Sequence, residues 1–430
     1  MPLPLRFPRE MECFLKAAQL LGAIQGDPGR LGPVLELQKL LIRRIARSEL
    51  SHARLQDARL RLKQRLVRER LIGEKARETR ELVLKIQDRC DALEQLRFLY
   101  RCFGDGIAAA YQAPHRHRYF YFAQRAHAKE RPGLLSRKDM FRSWYRALKL
   151  GIGMGIPVVL ADVTNMLGQG DLCVLAGSEP QPMELKSFNQ RGSAARLHQE
   201  ALLRTMAFLA RQAPAGTASP GSAAQPGEIT PGVAHRAHLN ECVRQALECG
   251  IAQVLPEPGL CYVVVRNDHY RNHPDCLRTL KGLRSKSTMS VQVTPETAWI
   301  PMQPFTLSMT AGNAVLFMQG GFQLLVYIDM KVLVSHFASL GVHAVALMDG
   351  VTALQLSNDA EDLEHGLYRV SEVLFQRISC EFMPLRSFAQ EMAGMLEPVQ
   401  AQGDQDLLFA PSGEWDEARH YYEDEGPHLH

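Results

Sequence analysis

Two carboxylates and an ammonium stand close together in the 430-residue chain: Asp171, Glu184 and Lys186. Asp171 opens the run DLCVLAG, and Glu184 and Lys186 lie in PMELKSF. Both runs are short and apolar, bounded by Gly, Pro and Ser, which is the composition of strands. Side chains alternate along a strand, so Glu184 and Lys186 project from one face. The intervening AGSEPQP suits a hairpin turn, and a hairpin brings Asp171 to that same face. Two carboxylates make a hard oxygen cage for Mg²⁺ or Mn²⁺, with the carbonyl of Leu185 as a further donor. A cation held there polarises a phosphodiester and acidifies a bound water. The ammonium of Lys186 positions that water or steadies developing charge. Without a cation, the three charges would carry a desolvation cost with no structural gain.

The flanking sequence supplies elements that could position such a site. IPVVLADV (Ile156 to Val163) reads as a strand ahead of Asp171. Before it, SRKDMFRSWYRALKLG reads as a helix capped by Ser136, and RFLYRCFGDGIAAAY has apolar residues at helical spacing. After it, SAARLHQEALLRTMAFLARQ (Ser193 to Gln212) returns to helical period. GIGMG (Gly151 to Gly155) precedes a strand and does not open a helix, so it is a poor phosphate loop.

Helix, strand, hairpin, strand and helix in this order resemble the PD-(D/E)xK phosphodiesterase superfamily. In that family the first acid opens the second core strand and the ExK sits on the third. GD at 170–171 matches the first, and MELKS the second. The resemblance covers about 97–212 and departs in one place: Gly170 stands where the motif has proline. It implies a restriction-endonuclease-like mixed sheet flanked by helices, in an α/β chain. It implies catalysis by Asp171, Glu184, Lys186 and Gln199, the last from RLHQE on the following helix. It implies a metal held by Asp171 and Glu184, with Asp105 as an added ligand from a preceding helix. The implied reaction is Mg²⁺-dependent hydrolysis of DNA, with DNA favoured over RNA, leaving a 5′-phosphate. Asp329-Met330-Lys331 also follows an apolar strand, but no acid precedes it at the matching distance.

The domains expected are a long-helix N-terminal arm over 1–96, the nuclease core over 97–212 and a Pro/Gly/Ala/Ser linker over 213–232. A separate C-terminal α/β domain over 233–399 and a loose acidic tail over 400–430 follow. In that last domain CYVVVRN, FQLLVYI and VHAVALM read as strands, and Asn240 to Cys249 and Glu361 to Arg377 as helices. The arm has no proline from 35 to 100, and either a helical hairpin or a short coiled coil fits its imperfect heptads. Arg54, Arg61, Arg65 and Arg68 belong to its basic run and are candidates for nucleic-acid contact; the long helix also invites a homodimer. Net charge is only +4, so a nucleic-acid role must rest on where charge is placed. Nine cysteines without a CxxC pair argue against a zinc knuckle and fit a reducing, cytoplasmic setting. The N-terminus has no signal-peptide pattern, and the most apolar run, 314–334, is broken by polar residues, so no membrane partner is expected. The alternative to an enzyme is a non-catalytic nucleic-acid- or protein-binding module that works through the basic helices.

Overall fold

A run of helix formers without proline satisfies its backbone groups locally by coiling into helix. The computed structural model describes residues 5–69, 72–112, 135, 141–167, 171–176, 180–183, 233–280, 287–295, 305–358 and 368–396. Its first helices are α1 (Met11–Gly26), α2 (Gly32–Arg68) and α3 (Gly73–Tyr111). Gly73 has φ 66°, a left-handed conformation that glycine adopts without strain, at the start of α3. The helices α2 and α3 run antiparallel as a hairpin. At its base Val34, Leu37, Leu41 and Ile45, at steps of three and four, are buried. The ring of Phe14 on α1 packs 4.8 Å from Tyr100 and 6.3 Å from Phe103 on α3.

The chain is a mixture of helix and small antiparallel sheets. It forms two compact units, each discontinuous in sequence. One comprises Phe7–Gly227 with Pro295–Leu307; the other comprises Met1–Arg6, Glu228–Thr294 and Ser308–His430. The boundary expected between 96 and 97 falls inside α3. No proline interrupts that helix, and its interior glycines, Gly104 and Gly106, serve close packing. The expected linker at 213–232 and tail at 400–430 lie outside the described residues.

In the first unit α4 (Phe141–Gly153) buries Trp144, Ala147 and Leu148 and leads into a three-stranded meander. The strands are β1 (Val158–Leu160), β2 (Leu172–Val174) and β3 (Gln181–Met183), in the order β1-β2-β3. Among the described residues β3 is an edge strand, a place that tolerates Pro182, which has no N–H. The other edge, β1, is closed by a side chain. Buried Gln38 on α2 donates Nε2 to the Val158 carbonyl at 2.8 Å and accepts from the Leu160 amide at 3.0 Å. A primary amide thereby mimics one rung of a neighbouring strand. Gln38→Leu keeps the bulk and orphans both groups, so it should cost about 2–3 kcal/mol. A urea midpoint corresponding to less than ~0.5 kcal/mol would show that this amide does not hold the edge.

The second unit begins with α5 (Val233–Cys249), which packs on β4 (Ile251–Glu257) and β5 (Leu260–Arg266). With β6 (Thr288–Val293) and β7 (Phe322–Asp329) these strands form a sheet of order β4-β5-β7-β6. From Leu260 to Val265 every residue of β5 is buried, so the strand is covered on both faces. The helix α6 (Ala311–Met318) precedes β7, and α7 (Met330–Ser339) follows it. The strands β8 (His343–Ala346), β9 (Thr352–Ser357) and β10 (Tyr368–Ser371) make another antiparallel sheet, and α8 (Leu385–Ala393) packs against α7. The helix expected over Glu361 to Arg377 is therefore corrected at 368–371. Tyr368 to Val370 pair with Leu356 to Leu354, followed by a bulge before Ser371. A strand partner from elsewhere in the chain has overridden local helical spacing.

All nine cysteines are free thiols. Burial pushes the thiols of Cys173 and Cys242 up to about 12. No helix among the described residues is long and apolar enough to cross a membrane.

Candidate functional site

Asp171 stands immediately before β2, at the end of the meander where β1 and β3 also terminate. Register pairs Leu160 with Leu172 and Leu172 with Met183. One residue further, the Asp171 carbonyl accepts from the Ala161 amide at 3.1 Å, and the Asp171 amide donates to the Met183 carbonyl at 2.8 Å. The backbone of Asp171 is therefore tied on both sides, and its partly exposed side chain contributes to neither tie. Met183 is the last described residue of its segment. Glu184, Lys186 and Gln199 lie outside the described residues, so of the expected catalytic set the structure describes Asp171 alone.

Beside this sheet end lies a group of buried charges that sequence reasoning missed. The Ala161–Val163 turn carries buried Asp162, whose backbone carbonyl accepts from Nε of Arg101 at 3.0 Å. Nη2 of Arg101 lies 3.6 Å from Oε1 of buried Glu49 on α2. Burial lowers the Arg101 guanidinium to about 10, with the Glu49 carboxylate opposing the shift, so it stays charged at neutral pH. Arg97, one turn earlier, is also buried, and burial lowers its guanidinium against the pull of Glu94. A signal was available: Arg97, Arg101 and Asp105 recur at four-residue steps within an otherwise apolar helical run.

Asp105 lies on that stripe, but its carboxylate is engaged by the loop after β1. Oδ1 accepts from the amides of Asn165 at 2.7 Å and Met166 at 2.9 Å, and Oδ2 accepts from the Asn165 side chain at 2.9 Å. Asp105, expected as an added metal ligand, thus anchors that loop through both oxygens in a buried setting, and no metal-holding group of three His, Cys, Asp or Glu includes it among the described residues. The flanking glycines explain the FGDG motif. A Cβ on Gly104 would stand 2.0 Å from the Val163 carbonyl oxygen, and one on Gly106 would stand 2.6 Å from Leu21 Cδ2. Gly104 thus lets α3 approach close enough for Asp105 to reach the Asn165 and Met166 amides. Gly104→Ala should destabilise by more than about 2 kcal/mol despite its better helix propensity, because the obstacle is backbone. Thermal unfolding measures this, and an unchanged midpoint would refute the close approach. Further along α3, Gln112 donates Nε2 to the Leu175 carbonyl at 2.8 Å, pinning the segment after β2.

The other candidates separate clearly. Asp329 accepts from the Lys331 amide at 3.0 Å and the Ser287 hydroxyl at 2.9 Å, which makes it the N-cap of α7. Arg54, Arg61, Arg65 and Arg68 are exposed along α2, and Arg65 pairs with Glu69 at 2.8 Å. In the second unit, His235 Nε2 and Glu257 Oε1 are 3.1 Å apart, and the same Oε1 accepts from the Leu385 amide at the start of α8. That arrangement anchors a helix end. Among the described residues no three His, Cys, Asp or Glu side chains gather to hold a metal. Comparison of the chain with family models, with curated proteins and with solved structures gives no match.

Proposed function

We propose that the chain is a metal-dependent nuclease with a restriction-endonuclease-like core, hydrolysing DNA phosphodiesters at the end of the β1-β2-β3 meander. The observation that carries this reading is the bond from the Asp171 amide to the carbonyl of Met183, the residue directly before Glu184 in the chain. Consecutive Cα atoms are about 3.8 Å apart, so Glu184 is tethered next to the residue that holds Asp171. The donor chemistry fits Mg²⁺ or Mn²⁺: a partly exposed carboxylate on a fixed backbone, with a second carboxylate in the sequence beside it. Asp171 and Glu184 would hold the ion. When bound, it supplies Lewis acidity toward phosphate oxygen and water.

The chain's own residues account for the remaining roles. Lys186 would hold the attacking water by hydrogen bonding and offset negative charge gathering on the phosphoryl oxygens. Gln199 would orient the scissile phosphate or the Lys186 ammonium. Gln38 and Gln112 fix the sheet against the helices, and Asp105 fixes the adjoining loop, so the frame around Asp171 is held by buried hydrogen bonds. The test is direct. Purified protein with Mg²⁺ or Mn²⁺ should nick supercoiled plasmid and shorten linear duplex, and EDTA should stop both. Duplex that survives intact with either cation across a range of salt would end the nuclease reading and leave a binding module.

A further inference from the structure

We propose that the outward face of α2 docks the sugar–phosphate backbone of duplex DNA without reading its bases. Arg43, Arg47, Arg54, Arg61, Arg65 and Arg68 are all exposed. At 100° and 1.5 Å per residue they fall within an arc of about 60° and extend over about 37 Å. That length is close to one turn of B-form duplex, about 34–36 Å. Among the described residues, Arg65 alone of the six has an acidic partner, Glu69.

The neighbouring helix shows what an ordinary solvated face looks like. From 74 to 94, α3 interleaves five Lys or Arg with six acids, and Arg77 lies within 4.0 Å of both Glu74 and Glu81. From 43 to 68, α2 carries nine Lys or Arg against two acids: Glu49, which is buried, and Asp57. Like charges at three- and four-residue steps repel and weaken an isolated helix. Solubility alone would not require such a row, whereas a polyanion that releases counterions on binding offsets the repulsion.

Other occupants fit less well. Leu50 lies within the arc, between Arg47 and Arg54, and the positions beside the ridge are Ala53, Asp57, Leu60, Gln64 and Val67. A second copy docking as a coiled coil needs apolar residues throughout that seam, and Asp57 and Gln64 interrupt it. A helix lying in a lipid surface needs a continuous apolar face, and the same two residues break it. What remains continuous is the charge.

The proposal does not rest on the nuclease reading, and binding measured in EDTA separates the two. Fluorescence anisotropy of a labelled duplex across about 50–200 mM KCl should give log Kobs against log[salt] a slope of about −5 if six phosphates are contacted. The variant R47Q/R54Q/R61Q/R68Q should reduce that slope to about −2 and weaken binding at least about tenfold at low salt. Lysine at the same four positions should keep most of the slope. K75Q/R80Q/K85Q/R89Q, which removes as many exposed charges from α3, should leave it unchanged. Circular dichroism confirms that each variant keeps its helices. An unchanged slope in the glutamine variant overturns the proposal. So does wild type that ignores duplex but binds phosphatidylserine vesicles, or a glutamine variant whose main defect in sedimentation is a lost dimer.

Discussion

Alanine in place of Glu184 or Lys186 is expected to lower Mg²⁺-dependent cleavage of duplex DNA by about 10³-fold or more, while affinity for DNA in EDTA stays at the wild-type value. Asp171→Ala should behave in the same way. The reason lies in how Asp171 is held: its ties to Ala161 and Met183 are both main-chain, at 3.1 and 2.8 Å. Both ties survive removal of the side chain, and circular dichroism with thermal unfolding of the variant separates lost chemistry from misfolding. Asp105→Asn is the informative contrast. Its carboxylate accepts from two backbone amides and a side-chain amide, so that variant should lower stability, and its effect on cleavage should follow its effect on folding. Single-turnover cleavage with saturating Mg²⁺ measures these differences. If wild type cuts and the three alanine variants cut as fast, the chemistry resides elsewhere in the chain.

The largest stability effect is expected in the other unit, at Arg377. Its Nε lies 3.2 Å from both oxygens of Glu381, and its Nη1 lies 2.6 Å from Glu391. The side chains of Arg377 and Glu381 are each only 3% exposed, and that of Glu391 is 27% exposed. Burial works against the guanidinium charge, but the Glu381 and Glu391 carboxylates outweigh it and hold the group charged beyond its ordinary value. Arg377→Met would leave a buried carboxylate without its cation, a loss of about 3–5 kcal/mol. Adding Glu381→Leu should recover much of that loss, since replacing buried partners together by apolar groups is often close to neutral. Amide exchange across β4, β5 and β7 and the urea midpoint both report it. A loss of less than ~1 kcal/mol for Arg377→Met would mean that Glu381 reaches solvent or another partner on relaxation.

Much of the framework is legible from period and composition. VVL, LCV, LCYVVVR and FQLLVYID are predominantly apolar runs with turn formers nearby, and each forms a strand. Residues 35–68 and 73–100 are helical because no proline interrupts them, and the one glycine there, Gly73, opens the second helix. What the sequence hides is long-range pairing. Gln38 meets β1 across 120 residues of chain, and Asp105 meets Asn165 across 60. Neither partner has a local pattern, so the anchoring of the loop by an acid in an apolar helix is not legible from sequence. Tyr368 to Ser371 became strand through β9 and not through their own propensity. Of the candidate site, the placement of Asp171 at the mouth of β2 follows from the Gly170-Asp171 break before an apolar run.

The chain passes between its two units four times, since Met1–Arg6 belongs with one and Pro295–Leu307 with the other. The second of these segments is fastened within its unit: the Thr306 hydroxyl donates to the Cys102 carbonyl at 3.2 Å, and Gln95 donates to the Pro295 carbonyl. At the opposite end of the sequence, the Arg6 amide donates to the Gln319 carbonyl at 2.9 Å. No single scissor point, including the Pro/Gly-rich stretch at 213–232, can therefore yield two fragments that each own a whole unit. Any shortened version would inherit one incomplete half, and recombining separately made pieces would have to thread both exchanged segments home.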